Sequence, residues 1–360
     1  MSSSLSASQR DHAIDFLKIL GTILVVLHHY TQVCYLSGQG VFFGGTIYFG
    51  RCVELFFLIA GYVMYRYQLS IQDHEISLKK FCGKRALRLL PLVAISAIVY
   101  EILIMVYRKL TGTLYMGHDL DLSGTLFTSL GIQTGWATKN PTINNPTWFI
   151  AVLLLCYLIF YLVNYISGKR KINVNFLYLG MVFLGMGIVS FKINLPFLNN
   201  SAGRGYYSFF AGILLANFLA LHKSKINKFS IVAIIMILGT VLTVVYNARN
   251  DKEFDDYYWL TFVFFPSLII LAETKVAQKL FSADFWSLLA KIAYNVFIWH
   301  VCMEIIMNYL LQTVPVFAQQ TEWQMMLIVL FLDWIVGFLS YRFIEKPIEA
   351  KTDRYFAKML

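Results

Sequence analysis

An all-α polytopic membrane protein is the fold class this sequence predicts, on three observations. The chain of 360 residues is 58% hydrophobic and only 14% charged, where soluble domains carry about 25% charged residues. Its mean hydropathy is +0.62, and the apolar residues gather in stretches of the ~20 residues that a helix needs to cross the hydrocarbon core. Lysine and arginine alternate between rich and poor connections, as membrane topology requires. These features predict a single bundle of about ten transmembrane helices instead of the two or three soluble domains that length alone would suggest.

On the length criterion the spans fall near 14–34, 41–67, 89–107, 147–166, 175–191, 206–222, 230–246, 258–273, 286–311 and 325–344. An even number puts both termini on one side. With the N-terminus inside, the inner segments hold 20 of the 30 basic residues, in clusters such as Lys79–Arg88, Lys169–Lys171 and Lys223–Lys228, and the outer connections hold 7. The positive-inside rule then predicts an N-in, C-in chain. Its organisation is a cytoplasmic tail over 1–13, a transmembrane domain over 14–345 and a second cytoplasmic tail over 346–360. The same distribution accounts for the net charge of +10 without a nucleic-acid partner, which would call for a continuous basic patch.

The five cysteines, Cys34, Cys52, Cys82, Cys156 and Cys302, form no CxxC pair and no Cys/His set at metal-ligand spacing, so no metal site is predicted. They read as small buried apolar side chains, with a Cys34 to Cys52 disulfide near the outer surface as the alternative. The first span could be taken for a secretory signal, but no small-residue cleavage pattern follows its apolar run. It leads instead into His28, His29, Tyr30, Thr31 and Gln32, polar groups that belong inside a bundle. The longest connection, about 108–146, carries Pro141 and Pro146 and is predicted on the outer face as a lid or acceptor-binding loop. Internal repeats are not evident, and no appended soluble catalytic domain is expected.

Ionisable side chains within spans mark functional sites because their burial is expensive. Candidates are Asp15, Lys18, His28, His29, Arg51, Glu54, Glu101, Lys291, His300, Glu304 and Asp333. Lys18 and His29 are 11 residues apart, three helical turns plus about 20°, so they share one helix face about 16 Å apart along the axis. That face carries a cation at its inner end and an imidazole deeper in the membrane. His28 is rotated by about 100° from it. Arg51 and Glu54, three residues apart, either pair with one another or act directly.

The run Asp15-Phe-Leu-Lys18-Ile-Leu-Gly-Thr-Ile-Leu-Val-Val-Leu-His-His29 resembles the opening helix of the integral membrane acyltransferase-3 family, with its basic residue, ten intervening residues and histidine. Further stretches are similar to that family's landmarks in the same order. They are Arg51-Cys-Val-Glu54-Leu-Phe-Phe-Leu-Ile-Ala-Gly61, Phe81-Cys-Gly-Lys-Arg85-Ala-Leu-Arg88-Leu-Leu-Pro91, Thr147-Trp148-Phe-Ile, Phe210-Ala-Gly212, Tyr294-Asn-Val-Phe-Ile-Trp-His300 and Tyr341-Arg-Phe-Ile-Glu345-Lys-Pro347. The resemblance runs from about residue 10 to residue 350. Two departures stand out: Lys18 occupies the position of the usual arginine, and Leu153-Leu154 replaces a glutamate that many members carry after the tryptophan.

The resemblance implies O-acyl transfer, usually of acetyl groups from cytoplasmic acetyl-CoA to a hydroxyl of a cell-surface or exported glycan, at a bacterial plasma membrane. Acyl-CoA enters as donor substrate, with no tightly bound cofactor expected. The partners implied are the glycan acceptor, possibly lipid-linked, the bilayer itself and proteins of glycan synthesis. On this reading Lys18, Lys84, Arg85 and Arg88 bind the phosphates of the donor, and His29 is the general base. Asp15 and Glu54 orient basic groups, and Arg51, Trp148 and His300 line the acceptor path. Glu345 with Pro347 forms a helix-end element at the cytoplasmic surface. The alternative is a polytopic exporter of a glycan or a small anionic substrate, since intramembrane charges also mark transport routes. Gly/Pro-interrupted spans at matching positions in two repeated halves, which would favour transport, are not found.

Overall fold

The computed structural model describes residues 11–30, 49–138, 143–250 and 257–357, and these form helices joined by turns with no strand. Thr31, Gln32, Cys34, the beginning of the second expected span and Pro141 lie outside the described residues. Twelve helices position the site. They are α1 (His12–His29), α2 (Cys52–Met64), α3 (Leu78–Thr111), α4 (Leu122–Leu130), α5 (Trp148–Arg170), α6 (Val174–Ser190), α7 (Asn200–Leu221), α8 (Ile226–Arg249), α9 (Phe265–Ala272), α10 (Phe285–Thr313), α11 (Glu322–Ser340) and α12 (Lys346–Ala357).

Among the described residues the expected spans fall on helical chain, but the helices are not equal. Six helices among the described residues are long and apolar enough to cross a membrane, and Val174–Ser190 and Leu260–Ala272 are apolar but shorter. α2 has only 13 residues, extended at each end by a turn of 3-10 helix, Phe49–Arg51 and Tyr65–Tyr67. A five-residue π-helical stretch, Leu260–Phe264, precedes α9, and a second, Tyr341–Glu345, joins α11 to α12. Such stretches relieve the strain of an extra residue in a helix and recur at functional sites.

α3 extends well beyond the expected 89–107. Its 34 residues span about 51 Å, more than the ~30 Å hydrocarbon core. The surplus is its N-terminal part, where the basic cluster sits, and α12 packs against it. The ring of Phe356 reaches Gly83, where an added Cβ would lie 3.3 Å from its Cζ.

α1 packs against α10, α10 against α11, and α7 against both α2 and α6. The main core is aromatic, with Phe57, Phe160, Tyr178, Phe209 and Phe210 fully buried. α8 packs on α9 and turns Ile231, Ile235, Leu238 and Leu242 outward, the arrangement of a peripheral helix facing lipid. The connection after α3 is folded down onto the bundle. Asn144, buried with φ +44°, donates to Ser96 Oγ on α3 at 2.9 Å and to the Ile298 carbonyl on α10 at 3.1 Å. Gln133 accepts from Thr128 and donates to Thr147, and the Trp136 indole donates to the Ala151 carbonyl. The sequence predicts a lid or acceptor-binding loop here, and its described residues Gln133, Trp136 and Asn144 tie the connection to α3, α5 and α10 through these hydrogen bonds.

Candidate active site

α1 brings the predicted face together. At its first turns, Lys18 Nζ donates to Asp15 Oδ1 at 2.8 Å, and Ser287 Oγ on α10 donates to the other oxygen of the same carboxylate at 3.1 Å. Asp15 is buried and Lys18 is half-buried. The carboxylate therefore anchors the ammonium while α10 anchors the carboxylate.

Above this pair lies a cavity of about 660 Å³. Asp15, Lys18, Arg66 and Arg88 line it at one end, and Phe56, Phe149 and Phe297 at the other. The order follows from position along the helices: on α1 the lining runs from Asp11 to Thr22 and stops there. Small residues, Ala60 on α2 with Ala290 and Ala293 on α10, leave the space open between them.

His29 stands seven residues beyond Thr22, about 10 Å further along α1. Its ring meets His300 of α10, with centroids 5.2 Å apart, and His28 on its other side at 5.1 Å. His300 is fully buried. Its Nδ1 lies 2.9 Å from the Phe297 carbonyl, and a carbonyl can only accept, so Nδ1 carries the proton and Nε2 the lone pair. That Nε2 has no hydrogen-bond partner among the described residues. Two imidazoles thus face one another in the bundle, one with a fixed tautomer.

Next to them is an ion pair that sequence spacing missed. Arg204 donates from Nε to Glu54 Oε1 at 2.6 Å and from Nη2 to Oε2 at 2.9 Å, a two-pronged contact that makes the strongest kind of charge-assisted bond. Glu54 also accepts from the Tyr207 hydroxyl at 3.3 Å, and the Arg204 guanidinium stacks on Trp148, 5.0 Å from its ring. Arg204 lies between the expected spans 175–191 and 206–222, and sequence spacing makes Arg51 the neighbour of Glu54. In the structure Arg204 is inside the first turns of α7, and Arg51 is buried at the entry to α2. The only available signal was a basic residue among small ones, Ala202-Gly-Arg-Gly205, where Gly203 lies against the backbone of α6 and Gly205 against Val152 of α5.

The basic cluster of α3 divides. Arg88 lines the cavity and lies 3.4 Å from Glu349 of α12. Lys84 pairs with Asp353 of the same helix at 2.7 Å. Arg85 points into the protein, where its guanidinium lies 3.6 Å from the Phe81 ring and 4.7 Å from Tyr67 and donates to the Phe81 carbonyl.

Glu345 is buried and accepts from the Asn295 side chain. Ser340 donates to Asn295 at 2.7 Å and accepts from the Trp299 indole at 2.7 Å. The two late motifs, Tyr294–His300 and Tyr341–Pro347, are therefore halves of one network, which fixes the helix that carries His300. Glu304 and Asp333 are buried on α10 and α11, one turn or more beyond it.

No curated protein and no solved structure matches the chain. A family model described as an acyltransferase domain matches residues 11–342, a range that takes in the cavity, the histidine pair and the Glu54–Arg204 bridge. The chain belongs to the acyltransferase-3 family, whose members are membrane acyltransferases.

Proposed function

We propose that this membrane acyltransferase moves an acetyl or similarly short acyl group from cytoplasmic acyl-CoA to a hydroxyl of a cell-surface or exported glycan, at a bacterial plasma membrane. The observation that carries the reading is the single face of α1, with a cation-lined cavity at one end and an imidazole pair at the other. A thioester on a polyanionic carrier needs cations at the mouth, and Lys18 and Arg88 line it. Lys84 supplements them at the rim, and Arg85 supports the wall through its aromatic cage.

His29 is the base. Its imidazole takes the proton of the acceptor hydroxyl as that oxygen attacks the thioester carbonyl. The new C–O bond forms, the C–S bond breaks, and the CoA thiolate leaves with the proton that the imidazolium returns to it. His300, with Nδ1 hydrogen-bonded to the Phe297 carbonyl, keeps the lone pair of Nε2 beside the His29 ring and contributes to the basic surroundings of that imidazole. The Glu54–Arg204 pair and Trp148, with Arg51, line the acceptor side.

The test is transfer of label from acetyl-CoA to extracted glycan, with parent protein and His29→Ala at matched amounts in membranes. The parent should incorporate label and His29→Ala should not. Equal incorporation by the two would remove His29 from the chemistry.

A further inference from the structure

The cavity does not reach the histidines. Three phenyl rings close it: Phe56 of α2, Phe149 of α5 and Phe297 of α10. Each touches the other two, with centroid separations of 5.8 Å for Phe56–Phe149, 5.6 Å for Phe56–Phe297 and 5.6 Å for Phe149–Phe297. Phe297 is in turn 6.1 Å from the His300 ring. Phe149 and Phe297 are buried in the surrounding core, so two of the rings have little room to move. Phe56 is only partly buried, and its edge rests on Gly21 of α1, where an added Cβ would meet it at 3.0 Å. A triangle of rings therefore stands between a polar mouth and an imidazole pair, and Phe56 is the one of the three that is only partly buried.

We propose that this triangle is the acyl-size filter of the enzyme: the acyl end of the thioester must pass between the three rings to meet the histidines, and the opening that Phe56 allows admits only a short chain. The inference rests on the acyl-CoA reading above. It follows from the shape of the path. The cavity leads from the cations along α1 to Thr22, and the rings occupy the remaining distance to His300. An apolar constriction admits an uncharged thioester end while refusing water and ions, whose desolvation there has no compensating partner. It discriminates among acyl groups by volume alone. In apolar pockets each methylene too many is typically worth a factor of about 10–200 in relative rate. The small residues lining the cavity below the rings place no comparable limit on the pantetheine arm.

Competition between acetyl-CoA and butyryl-CoA in membranes containing the full chain tests this, with Phe56→Leu and Phe56→Ala as a graded pair. Phe56 is chosen because it is the least buried of the three, and Leu retains most of its apolar volume should Ala impair folding. The ratio of butyryl to acetyl transfer should rise from parent to Leu to Ala, by roughly tenfold or more over the series. An unchanged ratio while acetyl transfer persists would overturn the filter, as would loss of both transfers from protein that still purifies as a folded species. A parent that transfers no acyl group from any CoA would instead overturn the donor reading itself, so the two failures are distinguishable.

Discussion

Glu54 shows how a buried charge is stabilised here: both its oxygens are taken by one guanidinium and one by a tyrosine hydroxyl as well. Removing one partner of such a pair leaves the other charge uncompensated, which typically costs about 3–5 kcal/mol. Arg204→Met should therefore lower the thermal midpoint of the purified protein markedly, and Arg204→Lys, which keeps the charge but loses the fork, by less. The double change Glu54→Leu with Arg204→Met should recover part of the loss, read by a fluorescence melt in detergent. Lys18 tests the donor side. Lys18→Ala should raise the KM for acyl-CoA several-fold with a smaller change in kcat, and Lys18→Arg should restore it, because phosphate is bound at least as well by the fork. A Lys18→Ala enzyme with unchanged donor dependence would move the phosphate site elsewhere. The Lys18 and His29 face was legible in the sequence because helical periodicity alone determines it. Arg204 was not, because its partner is 150 residues away, and neither was the role of Phe56, Phe149 and Phe297, one apolar side chain among many until three helices meet.

Two glycines within separately recognisable motifs explain how the α2 and α7 helices fit. A Cβ on Gly61 would lie 1.8 Å from the Phe209 carbonyl oxygen, and one on Gly212 would lie 2.0 Å from that of Leu58. Backbone meets backbone there, the close approach that small residues permit between helices in membranes. Gly61→Ala and Gly212→Ala should each reduce the amount of folded protein recovered from membranes, and since α2 carries Glu54 and Phe56 they should also abolish transfer in what remains. Gly239, on the peripheral α8 with open space around it, is the control: Gly239→Ala should leave both unchanged. In the connection after α3, the Asp121 carboxylate caps α4. The Gly124 N–H at 2.8 Å and the Ser123 hydroxyl at 2.7 Å hold it below the usual carboxylate range. A lowered folded-state value means that its contribution is complete above the ordinary carboxylate range and is lost as pH falls through the lowered value. Cleavage of this connection by a protease active from acid to neutral pH should therefore increase as the pH falls. Asp121→Ala should show the increased susceptibility already at neutral pH. Element positions were legible because hydropathy marks them. Their ends were less so: α3 runs on through a basic, half-exposed segment that hydropathy does not score, supported there by α12.

For the whole molecule, the distribution of basic residues and the position of the cavity point the same way. The mouth with Lys18 and Arg88 opens beside Lys84 and the C-terminal helix, the end of the bundle that the positive-inside rule assigns to the cytoplasm. The histidine pair and the Glu54–Arg204 bridge lie deeper, beyond the phenyl triangle from the cavity. Under the proposed function, a donor from one face and an acceptor from the other would meet within the bundle without opening a continuous polar channel. The most direct measurement supplies labelled acetyl-CoA to sealed vesicles of known orientation that contain the protein and its glycan acceptor. Incorporation should occur with donor at the face bearing the N-terminus and Lys84, and should disappear in His29→Ala. Incorporation only with donor at the opposite face, or none from either, would contradict the account.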